Sequence, residues 1–199
     1  MVGDWTVTRA ECLKRWSAVG AGLAAGGILV GGFASLASSS PGKAQDAAVL
    51  SFALAFEELQ ADFYARALRG LSLRGEWLQF TQVVGAHERA HVAFVRRALG
   101  AAAKPAPKLT LSRPPANLGD FQRMAVVLED IGVALYNGQA GNLTAGALAA
   151  AAEIVSVEAR HAAWARDLAG ELPAPAATDV PADATQVKAR LTQAGVQVG

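Results

Sequence analysis

Apolar and polar positions along this chain fall into four helical stretches separated by breakers. The first runs from about Ala44 to Arg69 and stops at Gly70. Its apolar set (Leu50, Phe52, Leu54, Phe56, Leu59, Phe63, Leu68) is broad, as expected of a helix facing two neighbours. The second runs from about Gly75 to Leu99 and stops at Gly100. The segment from Lys104-Pro105-Ala106-Pro107 to Arg113-Pro114-Pro115 cannot be helix, because proline lacks the amide proton and clashes with the preceding turn. It reads as an extended surface crossover. A third helix starts near Asp120, a good N-cap, and ends around Gly138 to Gly141; Thr144 can cap a fourth that runs to Leu168 or Ala169. Links that are short, long and short make antiparallel hairpins and let the second helix join the third across the bundle. The pattern predicts an all-α, antiparallel four-helix bundle over residues 44–170, with helices about 35–40 Å long.

The flanks read differently. In residues 1–42, Arg9, Lys14 and Arg15 precede a stretch from Trp16 to Gly42 that carries no charge. A positive flank, a glycine-rich apolar centre and small residues around Ser35-Leu36-Ala37 make an export signal, which places the protein in the periplasm or cell envelope. The competing reading is a membrane anchor over residues 16–42, since about 20 apolar residues span a bilayer. Thr8-Arg9-Ala10-Glu11-Cys12-Leu13-Lys14 resembles a twin-arginine signal with alanine in the second arginine's place. Residues 171–199, rich in Pro and Ala, read as a C-terminal appendage with one weak helical turn near Gln186 to Leu191.

Charge and cysteine usage narrow the chemistry. Lys and Arg number 18 against 17 acids, so no net field draws nucleic acid or an anionic membrane; a membrane partner enters only through an uncleaved N-terminus. Cys12 is the single cysteine, which excludes an internal disulfide and a thiolate metal site. Any metal here must be held by oxygen and imidazole nitrogen.

Two of the three histidines follow a glutamate by three positions, in Glu88-Arg89-Ala90-His91 and Glu158-Ala159-Arg160-His161. On a helix that spacing presents a carboxylate and an imidazole on one side. The motifs lie 70 residues apart, and Val84, Phe94, Arg96 and Gly100 match Ile154, Trp164, Arg166 and Gly170 at the same offset. At an offset of 72, Phe56-Glu57-Glu58-Leu59 matches Leu128-Glu129-Asp130-Ile131, and Tyr64 matches Tyr136. The chain therefore reads as two related hairpins, each giving one glutamate and one Glu-x-x-His. Packed together, they bring Glu57, Glu88, His91, Glu129, Glu158 and His161 to the bundle axis. Four buried carboxylates alone are untenable, whereas two divalent cations cancel their charge; hard oxygen ligands with one nitrogen per metal suit Fe first and Mn next.

Plainer readings stand beside this one. Glu57 or Glu129 could pair with Arg66 or Arg123, and a lone Glu-x-x-His is usually a surface pair. Glu57 is preferred to Glu58 because it shares a face with Tyr64. His87 lies off the motif face by about 100° and reads as either a supporting or a surface residue. Tyr64 and Tyr136 either cap the core with a wet hydroxyl, or hydrogen-bond a ligand carboxylate or intercept a stray radical, which makes them the candidate catalytic residues.

Leu50-Ser51-Phe52-Ala53-Leu54-Ala55-Phe56-Glu57 with Phe63-Tyr64 resembles the first helix of the bacterial ferritin-like family that includes desiccation-related proteins. Leu128-Glu129-Asp130-Ile131-Gly132-Val133-Ala134-Leu135-Tyr136-Asn137-Gly138 and Val157-Glu158-Ala159-Arg160-His161-Ala162-Ala163-Trp164 resemble its third and fourth helices. The resemblance implies a ferritin-like bundle, a dinuclear metal site at the six positions above and, often, a Tat-type signal. The expectation is Fe or Mn redox chemistry with O₂ or peroxide, ferroxidase- or catalase-like, in envelope stress protection. The alternative is a non-catalytic metal-binding or structural stress protein. A homo-oligomer is compatible with either, although the two flanks argue against a closed storage shell.

Overall fold

A computed structural model describes residues 41–102 and 107–199; the N-terminal export or anchor reading lies outside them. Four long helices make the bundle: α1 (Lys43–Gly70), α2 (Gly75–Leu99), α3 (Leu118–Gln139) and α4 (Ala145–Leu168). Among the described residues no helix is long and apolar enough to cross a membrane. The helices pack as the hairpins α1–α2 and α3–α4, with α1 against α3 and α2 against α4. Side-chain pairs fix the directions. Tyr64 meets Glu129 while Tyr136 meets Glu57, and Phe80 meets Trp164 while His87 meets His161, so both cross-hairpin pairs are antiparallel.

Two helix starts differ from expectation. Asn117, not Asp120, caps α3: its side chain accepts the Asp120 amide at 2.9 Å. Thr144 stands at the start of α4 without capping it. Its hydroxyl and amide donate instead to Asp46 at 2.6 and 2.8 Å, tying α4 to the first turn of α1.

The C-terminal residues are not an appendage. Helix α5 (Ala184–Gln193) packs on α3, and β2 (Val196–Val198) pairs antiparallel with β1 (Leu109–Leu111) of the crossover. An Asp183–Gln186 capping box starts α5, and Ala182, Val187 and Leu191 are buried in the same core as Phe63 and Phe121. Burying Val187 and Leu191 contributes about 1.5–3 kcal/mol each. The Ala182 amide donates to the Ala134 carbonyl at 3.0 Å. Gly138 permits this approach, since a Cβ there would overlap the Ala182 carbonyl and lie 2.8 Å from its nitrogen.

The apolar interior is split into two clusters. On α2 one reaches Val84 and the other resumes at Val95; on α4 the break falls between Ile154 and Ala165. Glu88, His91, Glu158 and His161 occupy that interval.

Candidate metal centre

Each helix brings one turn of buried polar side chains to the break in the core. Glu57, Glu88, Glu129 and Glu158 are 0 % exposed, and His91 and His161 nearly so. The apolar clusters above and below, with Phe56 and Leu128 beside two of the glutamates in sequence, bury these carboxylates. Glu57, Glu88, His91 and Glu158 form one tetrad, and Glu88, Glu129, Glu158 and His161 another; within each, the ligand atoms lie within 4.8 Å of one another. Glu88 and Glu158 belong to both. The Nδ1 of His91 lies 3.0 Å from Glu158 and 3.4 Å from Glu57 and Glu88. The Nδ1 of His161 lies 3.1 Å from Glu88, 3.4 Å from Glu129 and 3.7 Å from Glu158.

Proximity does not mean pairing. Oε2 of Glu57, Oε1 of Glu88, Oε2 of Glu129, both oxygens of Glu158 and Nδ1 of His161 are buried without a hydrogen bond among the described residues. Orphaned acceptors of this kind each cost about 1–3 kcal/mol. Six lone-pair atoms that converge and do not satisfy one another fit divalent cations, which accept from all of them. The residues present thus suit a carboxylate-rich metal site, and the cluster could bind metal ions.

The electrostatics carry the same strain. Burial, then the neighbouring carboxylates, push Glu88 and Glu158 well above the usual carboxylate range, with contacts to His91 opposing the rise. Burial lowers the His91 imidazole, but Glu158, Glu57 and Glu88 outweigh it, and its pKa is pushed up to about 12.

Both tyrosines are buried and reach across to the opposite hairpin. The Tyr136 hydroxyl donates to Oε1 of Glu57 at 2.5 Å, and Tyr64 donates to Oε1 of Glu129. In each glutamate the other oxygen, Oε2, is the orphan facing the cluster. Burial, and then the accepting carboxylate, raise both phenols, so they stay protonated donors. A wet, core-capping hydroxyl does not describe them.

The arginines go elsewhere. Arg66 pairs with Asp62 and Arg123 with Asp120, so neither neutralises Glu57 or Glu129. Glu58 is on the surface with Arg96, and the second hairpin repeats that bridge as Asp130–Arg166. His87 is exposed but stacks on His161, with Nδ1 2.9 Å from His161 Nε2. A groove of about 290 Å³ between α2 and α4, lined by His87, His91, Val157, Arg160, His161 and Trp164 among others, runs past the two buried imidazoles.

Gln60 was not singled out by the sequence. It is fully buried, and its amide donates to Oε1 of Glu129 at 3.2 Å. Its signal was available: three residues after Glu57, it shares the face of the ligand set.

The ferritin-like domain family matches residues 45–171, and the chain belongs to that family. No curated protein matches it.

Proposed function

We propose that the cluster binds two divalent metal ions, Fe first and Mn next, and that the loaded centre reacts with O₂ or peroxide in a ferroxidase- or catalase-like way. One observation carries this reading: two overlapping tetrads share Glu88 and Glu158, and six of their buried atoms have no hydrogen-bond partner among the described residues. Glu88 and Glu158, common to both tetrads, would be held between the two ions, His91 and His161 would supply one nitrogen to each, and Glu57 and Glu129 would be the outer carboxylates. Two such ions supply two electrons together to one small oxidant.

The chain's own residues set up that chemistry. Tyr136 and Tyr64 each occupy one oxygen of an outer glutamate and leave the other aimed inward, which fixes the carboxylate's rotation before metal arrives. The groove beside His91 and His161 admits molecules the size of O₂ or peroxide, while the apolar clusters on either side keep bulk water out. Tyr64 also touches Phe80, which touches Trp77 and Trp164, an aromatic route along which a stray oxidising equivalent can leave the centre. The glycine-rich leader and the narrower likeness to desiccation-related proteins support a setting in the cell envelope, in protection against stress.

The test is metal content by mass spectrometry on the full chain, with Glu88→Ala/Glu158→Ala beside it, followed by O₂ and peroxide consumption. Close to two Fe or Mn per chain, lost in the double variant, with oxidant consumed, is the expected result. Metal that is bound but inert to both oxidants selects the non-catalytic alternative. A folded protein that takes up neither metal refutes the proposal.

A further inference from the structure

We infer that the two metal positions are unequal: the Glu129–His161 half binds tightly, and the Glu57–His91 half binds weakly and exchanges. The inference rests on the metal reading above and adds to it which ion is held and which is mobile.

The argument is where the internal repeat fails. Glutamates, histidines and tyrosines of the site match across the hairpins at offsets of 70 and 72. Two supporting positions do not. His87 corresponds to Val157, and Gln60 corresponds to Gly132. Both polar residues fall on the same half. Nδ1 of His161 faces Glu88 and Glu129; with a metal ion on that nitrogen, Nε2 would carry the proton and donate to Nδ1 of His87, which lies 2.9 Å away. Val157 offers His91 no such acceptor, and among the described residues Nε2 of His91 has no hydrogen bond. Gln60 joins Tyr64 on Oε1 of Glu129, whereas Oε1 of Glu57 has Tyr136 alone. Gly132 donates nothing from a side chain; it makes room, since a Cβ there would lie 2.8 Å from Oε2 of Glu158.

The Glu129–His161 half therefore has three outer hydrogen bonds and the Glu57–His91 half has one. Such bonds lock a ligand's orientation and make an imidazole a better donor, and losing one costs about 10–100-fold in metal affinity. His87 and Gln60 are positioning residues, acting on the metal only through His161 and Glu129.

The experiment titrates the metal-free full chain with Co(II), a spectroscopic probe that oxidises slowly, following its visible absorption and the heat of binding. The expected result is two steps separated by at least about tenfold. His87→Val weakens the first step by about 10–100-fold, shifts the absorption of the first-bound ion and spares the second; His87→Asn, which keeps an acceptor, restores much of the first step. Val157→His strengthens the second step, a gain that damage to the fold cannot produce. Two equal steps in the natural protein, or His87→Val weakening both steps alike, overturn the inference and leave the metal reading standing. No uptake at all overturns both.

Discussion

Replacing Glu158 by Gln separates a site awaiting a cation from an ordinary buried polar network. Glu158 is fully buried with both oxygens unpaired. Burial and the charges of Glu88 and Glu57 raise its pKa above the unfolded value of 4.5, and Glu88 is raised for the same reasons. The folded metal-free chain then holds protons that the unfolded chain releases. For a raised pKa the contribution to stability is complete below the unfolded value and is lost as pH rises through the folded value. His91, pushed from 6.5 to about 12, has the same sign over that higher window. Metal-free stability therefore falls from pH 4.5 upward, by about 1.4 kcal/mol per pH unit for each proton retained. Glu158→Gln puts a permanently neutral side chain where the folded chain must otherwise retain one of these protons. At pH 7.5 it should stabilise the metal-free protein by about 1–4 kcal/mol, and each kcal/mol raises Tm by about 2–4 °C. The pH slope should flatten by up to about 1.4 kcal/mol per unit. With Mn(II) present the order reverses, because the natural protein gains linkage stabilisation of about 4 kcal/mol at a thousandfold excess over Kd and the variant gains less. Calorimetric melts at pH 5.5 and 7.5, with and without metal, read all of this. A variant that melts lower without metal at pH 7.5, with an unchanged pH slope, would refute the reasoning.

Other perturbations test neighbouring links. Tyr136→Phe strips Oε1 of Glu57 of its donor; urea unfolding should show a loss of about 1.5–3 kcal/mol, and a metal titration a weaker step of about 10–100-fold. Gly138→Ala forces Ala182 off α3. Loss of one hydrogen bond and part of the Val187 and Leu191 burial costs about 2–5 kcal/mol, seen as a lower Tm and faster proteolysis between residues 171 and 183. Arg96→Ala breaks only the exposed bridge to Glu58; it should cost less than about 1 kcal/mol, and less still in high salt.

Local rules made the bundle legible. Gly70 and Gly100 mark the ends of α1 and α2 to within a residue, and the two Glu-x-x-His motifs, with the matched Glu57 and Glu129, named six residues that converge. What stayed hidden depends on packing between distant segments. Helix α5 has ten residues, too few to be stable alone, and its two buried apolar positions make a faint stripe. The Asp183–Gln186 capping box was the local signal for it. The β1–β2 pair joins three-residue strands far apart in sequence, which no local pattern announces. The contact between His87 and His161 follows from how α2 and α4 cross, so the sequence left His87 between two readings.

The internal repeat has a consequence for what a single chain can do that an assembly cannot. Each hairpin carries half of the convergent set, so two identical copies of one hairpin, related by a twofold axis, would present the same four glutamates and two histidines. Such a homodimer must place the same residue at both symmetry-related positions. It can have histidine at both or valine at both, and never His87 facing Val157. Covalent fusion lifts that restriction. The two halves can diverge one residue at a time, and the differences at His87/Val157 and Gln60/Gly132 are a kind of individuality that symmetric assembly forbids.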